Sequence, residues 1–125
     1  KNAQSWRLIM GISIEILSDA SESNSEKPRN DSVVTIHLKI HLMDLTEVID
    51  TRNEDDVTSG EPMSFTLGQG NVIRGLDSAI ASLRPGQTAR VTLPPDFAYG
   101  ARGFPPLVPP NTSLICTVEL LSVSL

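Results

Sequence analysis

The stretch Asp96-Phe97-Ala98-Tyr99-Gly100-Ala101-Arg102-Gly103-Phe104-Pro105-Pro106-Leu107-Val108-Pro109-Pro110-Asn111 decides the reading of this chain. It is rich in proline and glycine, yet it carries large apolar residues and joins two strand-like runs. The prolines hold the backbone near extended geometry. Phe104, Leu107 and Val108 need cover, so a purely solvated connection does not account for a loop of this length. The segment reads as the wall of a groove.

Working outward, Ala89, Val91 and Leu93 alternate with Thr88, Arg90 and Thr92 on one side of it. Leu114, Cys116, Val118 and Leu120 alternate with Ile115, Thr117 and Glu119 on the other. Period-two alternation is the mark of a half-buried strand. Val34, Ile36, Leu38, Ile40 and Leu42 give the clearest strand. Met63 to Leu67 gives another, and Met10, Ile12, Ile14 and Ile16 a first one at about 10–17. The polar stretch 18–32 is expected to be a mobile surface loop, and Thr51 to Glu61 a second loop or an edge bulge.

Helical spacing occurs once. Ile73, Leu76, Ile80 and Leu83 follow at intervals of three, four and three, with Asn71 placed to cap and Pro85-Gly86 to stop the helix. One helix among at least five strands predicts an α+β domain, with the helix packed on one face of an antiparallel sheet. The length of 125 residues suits a single domain over 1–125.

The totals narrow the function. A net charge of −5 argues against partners held by Lys/Arg patches, so neither nucleic acid nor an anionic membrane is expected. No apolar run reaches the roughly 20 residues of a spanning helix. The one cysteine, Cys116, rules out an internal disulfide and fits a reducing compartment, so a cytoplasmic location is expected. The chain begins at Lys1 rather than Met and reads as an excised fragment.

No metal or cofactor is expected. His37 and His41 share a strand face, but four residues of strand separate them by about 13 Å, too far for one zinc, and they read as surface histidines. Glu54, Asp55 and Asp56 lack the spaced oxygen ligands of a calcium loop. Cys116 falls in the Leu114/Val118 register, which makes it a core thiol rather than a nucleophile. Two triplets, Asn30-Asp31-Ser32 and Asn111-Thr112-Ser113, fit the N-glycosylation pattern, which arises easily by chance.

Four pieces occur in order: Phe65-Thr66-Leu67-Gly68, Val72-Ile73-Arg74-Gly75, the 96–111 loop, and Val118-Glu119-Leu120-Leu121. With their spacing, they make the chain over about 33–123 resemble the FKBP family of peptidyl-prolyl isomerase domains, as a divergent member. The resemblance implies an FKBP-like curved antiparallel sheet of five to six strands wrapped around one short helix. It also implies a peptide pocket lined largely by aromatic side chains.

On that resemblance, Tyr99 matches the family's substrate-binding tyrosine, Ile73 the residue whose N–H faces the ligand, and Val72 its neighbour. Phe65 matches a pocket-flanking phenylalanine and Asp50 the pocket aspartate, while Met63, Phe104, Leu107 and Val108 complete the expected lining. Gly75 and Gly100 are implied backbone-packing positions. The departures are Leu38 for a tyrosine, Ile49 for a phenylalanine, Leu76 for the tryptophan of the floor and Cys116 for another phenylalanine. The turn 44–48 lacks the usual glycine and reads as holding an extra position, which sets the Ile49/Asp50 register with one residue of slack.

Prolyl isomerisation needs only a groove that favours the twisted amide, since its barrier of about 18–20 kcal/mol comes from resonance. Replacing four aromatics removes ring faces and leaves volume for water, which solvates the planar amide. The expected function is therefore a protein-binding, co-chaperone-type domain with weak or absent isomerase activity. An active isomerase with an aliphatic pocket is the competing expectation, and a groove that binds nothing a third. The expected partner is a protein or an Xaa-Pro segment, with an Hsp90-type chaperone engaged through regions outside this chain.

Overall fold

The computed structural model describes residues 6–9, 11–21, 25–53 and 60–124. The alternating segments become strands Trp6–Ile9 (β1), Ile12–Asp19 (β2), Val33–Leu42 (β3), Glu47–Asp50 (β4), Met63–Thr66 (β5), Gln87–Leu93 (β6) and Leu114–Ser124 (β7). One helix, Arg74–Ile80 (α1), and a 3-10 turn at Pro95–Phe97 complete the described elements.

All strand pairings are antiparallel, in the order β1-β2-β6-β7-β3-β4, with β5 also paired to β3. β5 pairs with Val33–Ile36 and β4 with Lys39–His41. β4 and β5 thus share one edge of β3, and seven strand segments form a sheet six positions wide. This is the α+β, FKBP-like architecture expected from the sequence.

The inward face of the sheet is mainly aliphatic, with Cys116 among its buried residues. Ile14, Val34, Ile36, Leu38, Ile40, Val91, Leu93, Leu114, Val118 and Leu120 are buried together with Leu76, Ala79, Ile80 and Leu83 of α1 and its exit. Gly75 lets the helix sit this close. A Cβ there would meet the Leu93 side chain and lie 2.9 Å from the Phe97 carbonyl oxygen.

Several boundaries differ from the sequence reading. The first long strand is Ile12–Asp19 rather than 10–17, and Met10 lies outside the described residues. Ser18 and Asp19 of the polar stretch 18–32 belong to β2, where a register shift between Ile16 and Ser18 breaks the alternation. The end of that stretch is anchored. Pro28 and Ser32 are buried, Asp31 N–H donates to Leu67 O at 2.9 Å, and Leu67 N–H donates to Ser32 O at 2.8 Å. The Arg84 guanidinium donates to the Ser25 carbonyl. Residues 22–24 and the acidic trio Glu54-Asp55-Asp56 lie outside the described residues.

Asn71 does not cap the helix. Ile73 occupies the cap position without a side-chain hydrogen bond, and Asn71 Nδ2 donates instead to Thr66 O at 3.1 Å. α1 ends at Ile80, ahead of Pro85, and Leu83 stays in the core through a turn in which Leu83 N–H donates to Ile80 O at 3.0 Å.

Candidate functional site

The 96–111 loop is held against the sheet by its own backbone. Phe104 and Val108 exchange hydrogen bonds of 2.8 and 2.9 Å, Gly103 N–H donates to Tyr99 O at 3.0 Å, and Asn111 N–H donates to Gly100 O at 2.8 Å. Gly103 has φ +69°, and a Cβ there would lie 2.6 Å from Val108 O, so the fold of the loop requires glycine. Gly100 also has positive φ, but nothing lies within 4 Å of its Cβ position. It serves backbone conformation rather than the packing expected of it.

Val108 is the buried anchor of this loop, whereas Phe104 and Leu107 remain 50% and 45% exposed. The Tyr99 and Phe104 rings stack with centroids 5.2 Å apart and planes at 20°. Behind the loop, the Arg74 guanidinium lies 4.5 Å over the Phe97 ring and ties the start of α1 to the 3-10 turn.

Beneath this rim lies a cavity of about 500 Å³. Leu38 and Ile40 of β3 and Met63 of β5 form one wall, and Val72, Ile73 and Leu76 form the helical side. Val48, Ile49 and Asn71 line it too, and Tyr99, Phe104 and Leu107 close the rim. Among the described residues no charged side chain lines it, and its only polar side chains are Asn71 and Tyr99. Leu76 N–H and Asp77 N–H donate to Ile73 O at 3.0 and 3.3 Å. The Ile73 N–H therefore falls in the helix turn that has no intrahelical acceptor, at a residue that lines the cavity. Burial pushes the Tyr99 phenol above its ordinary value, so it stays a neutral donor.

The cavity thus gathers Leu38, Ile49, Met63, Val72, Ile73, Leu76, Tyr99, Phe104 and Leu107 from the residues singled out in sequence. Four others lie outside it. Asp50 is the most consequential, because it was the expected charged group. β3 pairs Ile40 with Ile49 and His41 with Glu47, so Val48 is the extra residue of a bulge and Asp50 falls opposite Lys39. The bulge delivers Val48 and Ile49 to the cavity in succession and turns Asp50 to the outer face. Ile49 lines the cavity as expected, Val48 joins it, and Asp50 lines the outer groove instead.

Cys116 is fully buried between its strand partners Ile40 and Val91, and burial pushes its thiol to about 12. It belongs to the core rather than the cavity lining, as does Val108. Phe65 packs against the core beside Val34, one strand repeat beyond Met63. Sequence reasoning missed Ile40, Val48 and Asn71. Ile40 shares the inward alternation of Leu38, so its placement was available from periodicity, but the bulge that brings in Val48 breaks that periodicity.

A second, polar groove of about 270 Å³ lies on the outer face, lined by His37, Lys39, Asp50, Thr51, Arg52, Thr88, Thr117 and Glu119, with Leu38 at its base. His37 is not a free surface histidine. Its Nδ1 hydrogen-bonds the buried Thr51 hydroxyl at 2.8 Å, which also accepts the Leu38 N–H at 2.8 Å. Arg52 pairs with Glu119, and Asp50 Oδ1 accepts the Arg52 N–H at 3.0 Å. His41 is half-buried, contrary to expectation, and its Nδ1 is buried without a hydrogen-bond partner among the described residues. Among those residues, no group of three or more His, Cys, Asp or Glu side chains is arranged to hold a metal. Among the described residues, no helix is long and apolar enough to cross a membrane.

The profile of the FKBP-type peptidyl-prolyl cis-trans isomerase family matches residues 24–121. "Peptidyl-prolyl cis-trans isomerase Fkbp12" of Drosophila melanogaster is 38% identical over 112 residues, covering 90% of this chain and 99% of that protein. "FK506-binding protein 59" of the same species is 35% identical over 111 residues, 89% of this chain but 24% of that protein. Among solved structures, FkpA from Escherichia coli superposes with a TM-score of 0.79 at 29% identity, over 95% of this chain and 51% of that one.

Proposed function

The chain belongs to the FKBP-type peptidyl-prolyl cis-trans isomerase family, and from that premise we propose that its cavity binds proline-containing protein segments while isomerising them weakly or not at all. The observation that carries this reading is the composition of the wall. Among the described residues that line the cavity, only Tyr99 and Phe104 are aromatic, and they stack on each other at the rim. The rest of the described lining is aliphatic apart from Met63 and Asn71.

The chemistry follows from the amide. Rotation about the Xaa-Pro bond is slow because the planar form is stabilised by resonance and is the more polar state. A cavity speeds rotation by excluding water and packing the prolyl ring so that the twisted amide is preferred. Here the Ile73 N–H and the Tyr99 hydroxyl supply donors for the carbonyls flanking the proline. The floor formed by Leu76 and Leu38 is apolar but offers no ring face, and the Asp50 carboxylate lies on the far side of β4. Binding is supported by the apolar volume and the two donors, whereas selective stabilisation of the twisted amide has less behind it.

One observation favours full isomerase activity with aliphatic walls as a second reading: Tyr99 and Ile73 both line the cavity, as they would in an enzyme. A co-chaperone-type role in the cytoplasm, with an Hsp90-type chaperone engaged by neighbouring regions, goes with the binding reading as part of the same proposal. The test is a methyl NMR titration with an Ala-Leu-Pro-Phe peptide. Shifts confined to Val48, Ile49, Val72 and Leu76 are expected. Saturating peptide that leaves those methyls unmoved would remove the cavity as the binding site.

A further inference from the structure

We propose that His41 is a positioning residue for the cavity wall, holding the β4 bulge in register while its imidazole is neutral and releasing it when protonated. His41 stands between two structural features, whatever the cavity binds: its neighbour Ile40 lines the cavity, and its cross-strand partner Glu47 immediately precedes the bulged residue Val48. Any adjustment of the His41–Glu47 pair acts directly on Val48 and Ile49, the two successive residues that give the cavity its aliphatic edge.

His41 Nδ1 is the buried polar side-chain atom left without a partner among the described residues. In the neutral ring that atom can be a bare lone pair, which tolerates burial better than an N–H. Protonation places a charged N–H there with no acceptor, and a buried unpaired donor costs the full desolvation of the group. The surrounding charges worsen this. Burial holds the imidazole below its ordinary 6.5, Lys39 on the same strand and Arg90 on β6 add repulsion, and only Glu47 on β4 attracts. On the β7 side the strand partner is the uncharged Ile115.

Relief for the protonated ring therefore lies in one direction, toward the Glu47 carboxylate. Closing that contact draws on the residue before Val48. A bulge is the part of a ladder with an unpaired extra residue, so it yields before the regular pairs of β3 with β7. The cavity edge thus has two arrangements, neutral and protonated, and proton uptake at His41 shifts the balance between them.

The experiment follows the His41 and His37 ring signals together with the Val48 and Ile49 methyls of the whole chain by NMR between pH 7.5 and 5. The expected result is a His41 midpoint below 6.5 shared by both methyls. That shared change should be lost in His41→Leu and kept in His37→Gln, whose ring bonds Thr51 rather than the bulge. Methyls that stay flat while His41 titrates would overturn the proposal in the wild-type protein alone, even if His41→Leu fails to fold. A methyl transition that survives in His41→Leu would place its origin outside His41 and also overturn it.

Discussion

Returning aromatic rings to the cavity separates positions that face it from one that does not. Leu38 and Leu76 are nearly fully buried yet line a cavity of about 500 Å³, so a larger side chain at either has space on one side. Cys116 is fully buried and is not part of that lining. Leu38→Tyr combined with Leu76→Trp should fold with little loss of stability, whereas Cys116→Phe should lose about 1–3 kcal/mol to overpacking. If each restored ring contributes about 0.5–1.5 kcal/mol by packing on the prolyl ring, the pair supplies roughly 1–3 kcal/mol. At about 1.36 kcal/mol per tenfold, that is a gain of roughly fivefold to more than a hundredfold in kcat/KM. The two positions share one cavity, so their effects should be coupled rather than additive. Urea denaturation measures the first effect and a coupled isomerisation assay on an Ala-Leu-Pro-Phe peptide the second. A stable Cys116→Phe protein with raised activity, or a folded double variant with none gained, would refute the assignment of the cavity floor.

Other outcomes follow from the same structure. Macrolides of the rapamycin type should bind weakly, since Leu76 replaces the ring that the family offers to their pipecolyl group and neutral hydrogen bonds net only about 0.5–1.5 kcal/mol each; nanomolar binding by calorimetry would contradict this. Thr51→Val should destabilise the fold by about 1–3 kcal/mol by leaving the buried Leu38 N–H without its acceptor, measured as a lower urea midpoint. Because His41 is held below 6.5, chiefly by burial, the unfolded chain takes up that proton first, so stability is full above pH 6.5 and falls as pH drops below it. His41→Leu should abolish that slope in thermal melts between pH 7 and 5. Asp19 and Asp44, held below 3.8 by hydrogen bonds from Ser21 and Thr46, act only at more acid pH.

Much of the fold was legible because period-two and helical patterns record burial directly. β3, β6 and β7 stand where Val34–Leu42, Ala89–Leu93 and Leu114–Leu120 alternate, and α1 lies where Ile73, Leu76 and Ile80 repeat. β1 was missed because four residues, Trp6–Ile9, are too few to establish a period. The cavity rim was legible in the Pro/Gly-rich loop. Its β4 edge was not, because the bulge at Val48 changes which side of the strand each later residue occupies. That single event turns Asp50 outward and brings Val48 in beside Ile49, so an edge expected to carry a carboxylate is aliphatic. For Cys116, alternation correctly gives a core thiol, whereas its pocket position came from the resemblance alone, and it is not in the cavity lining. His37, His41 and Asn71 depend on partners distant in sequence, which local pattern cannot supply.

The proposed function requires a cavity that holds proline segments without strongly favouring the twisted amide. The most direct test is kcat/KM for cis-to-trans isomerisation of an Ala-Leu-Pro-Phe peptide, with Drosophila Fkbp12 measured alongside. A loss of about 3 kcal/mol of transition-state stabilisation predicts a value at least roughly a hundredfold below that control, with peptide binding still detectable at the cavity methyls. Equal kcat/KM for the two proteins would contradict it and establish the aliphatic cavity as a competent catalyst.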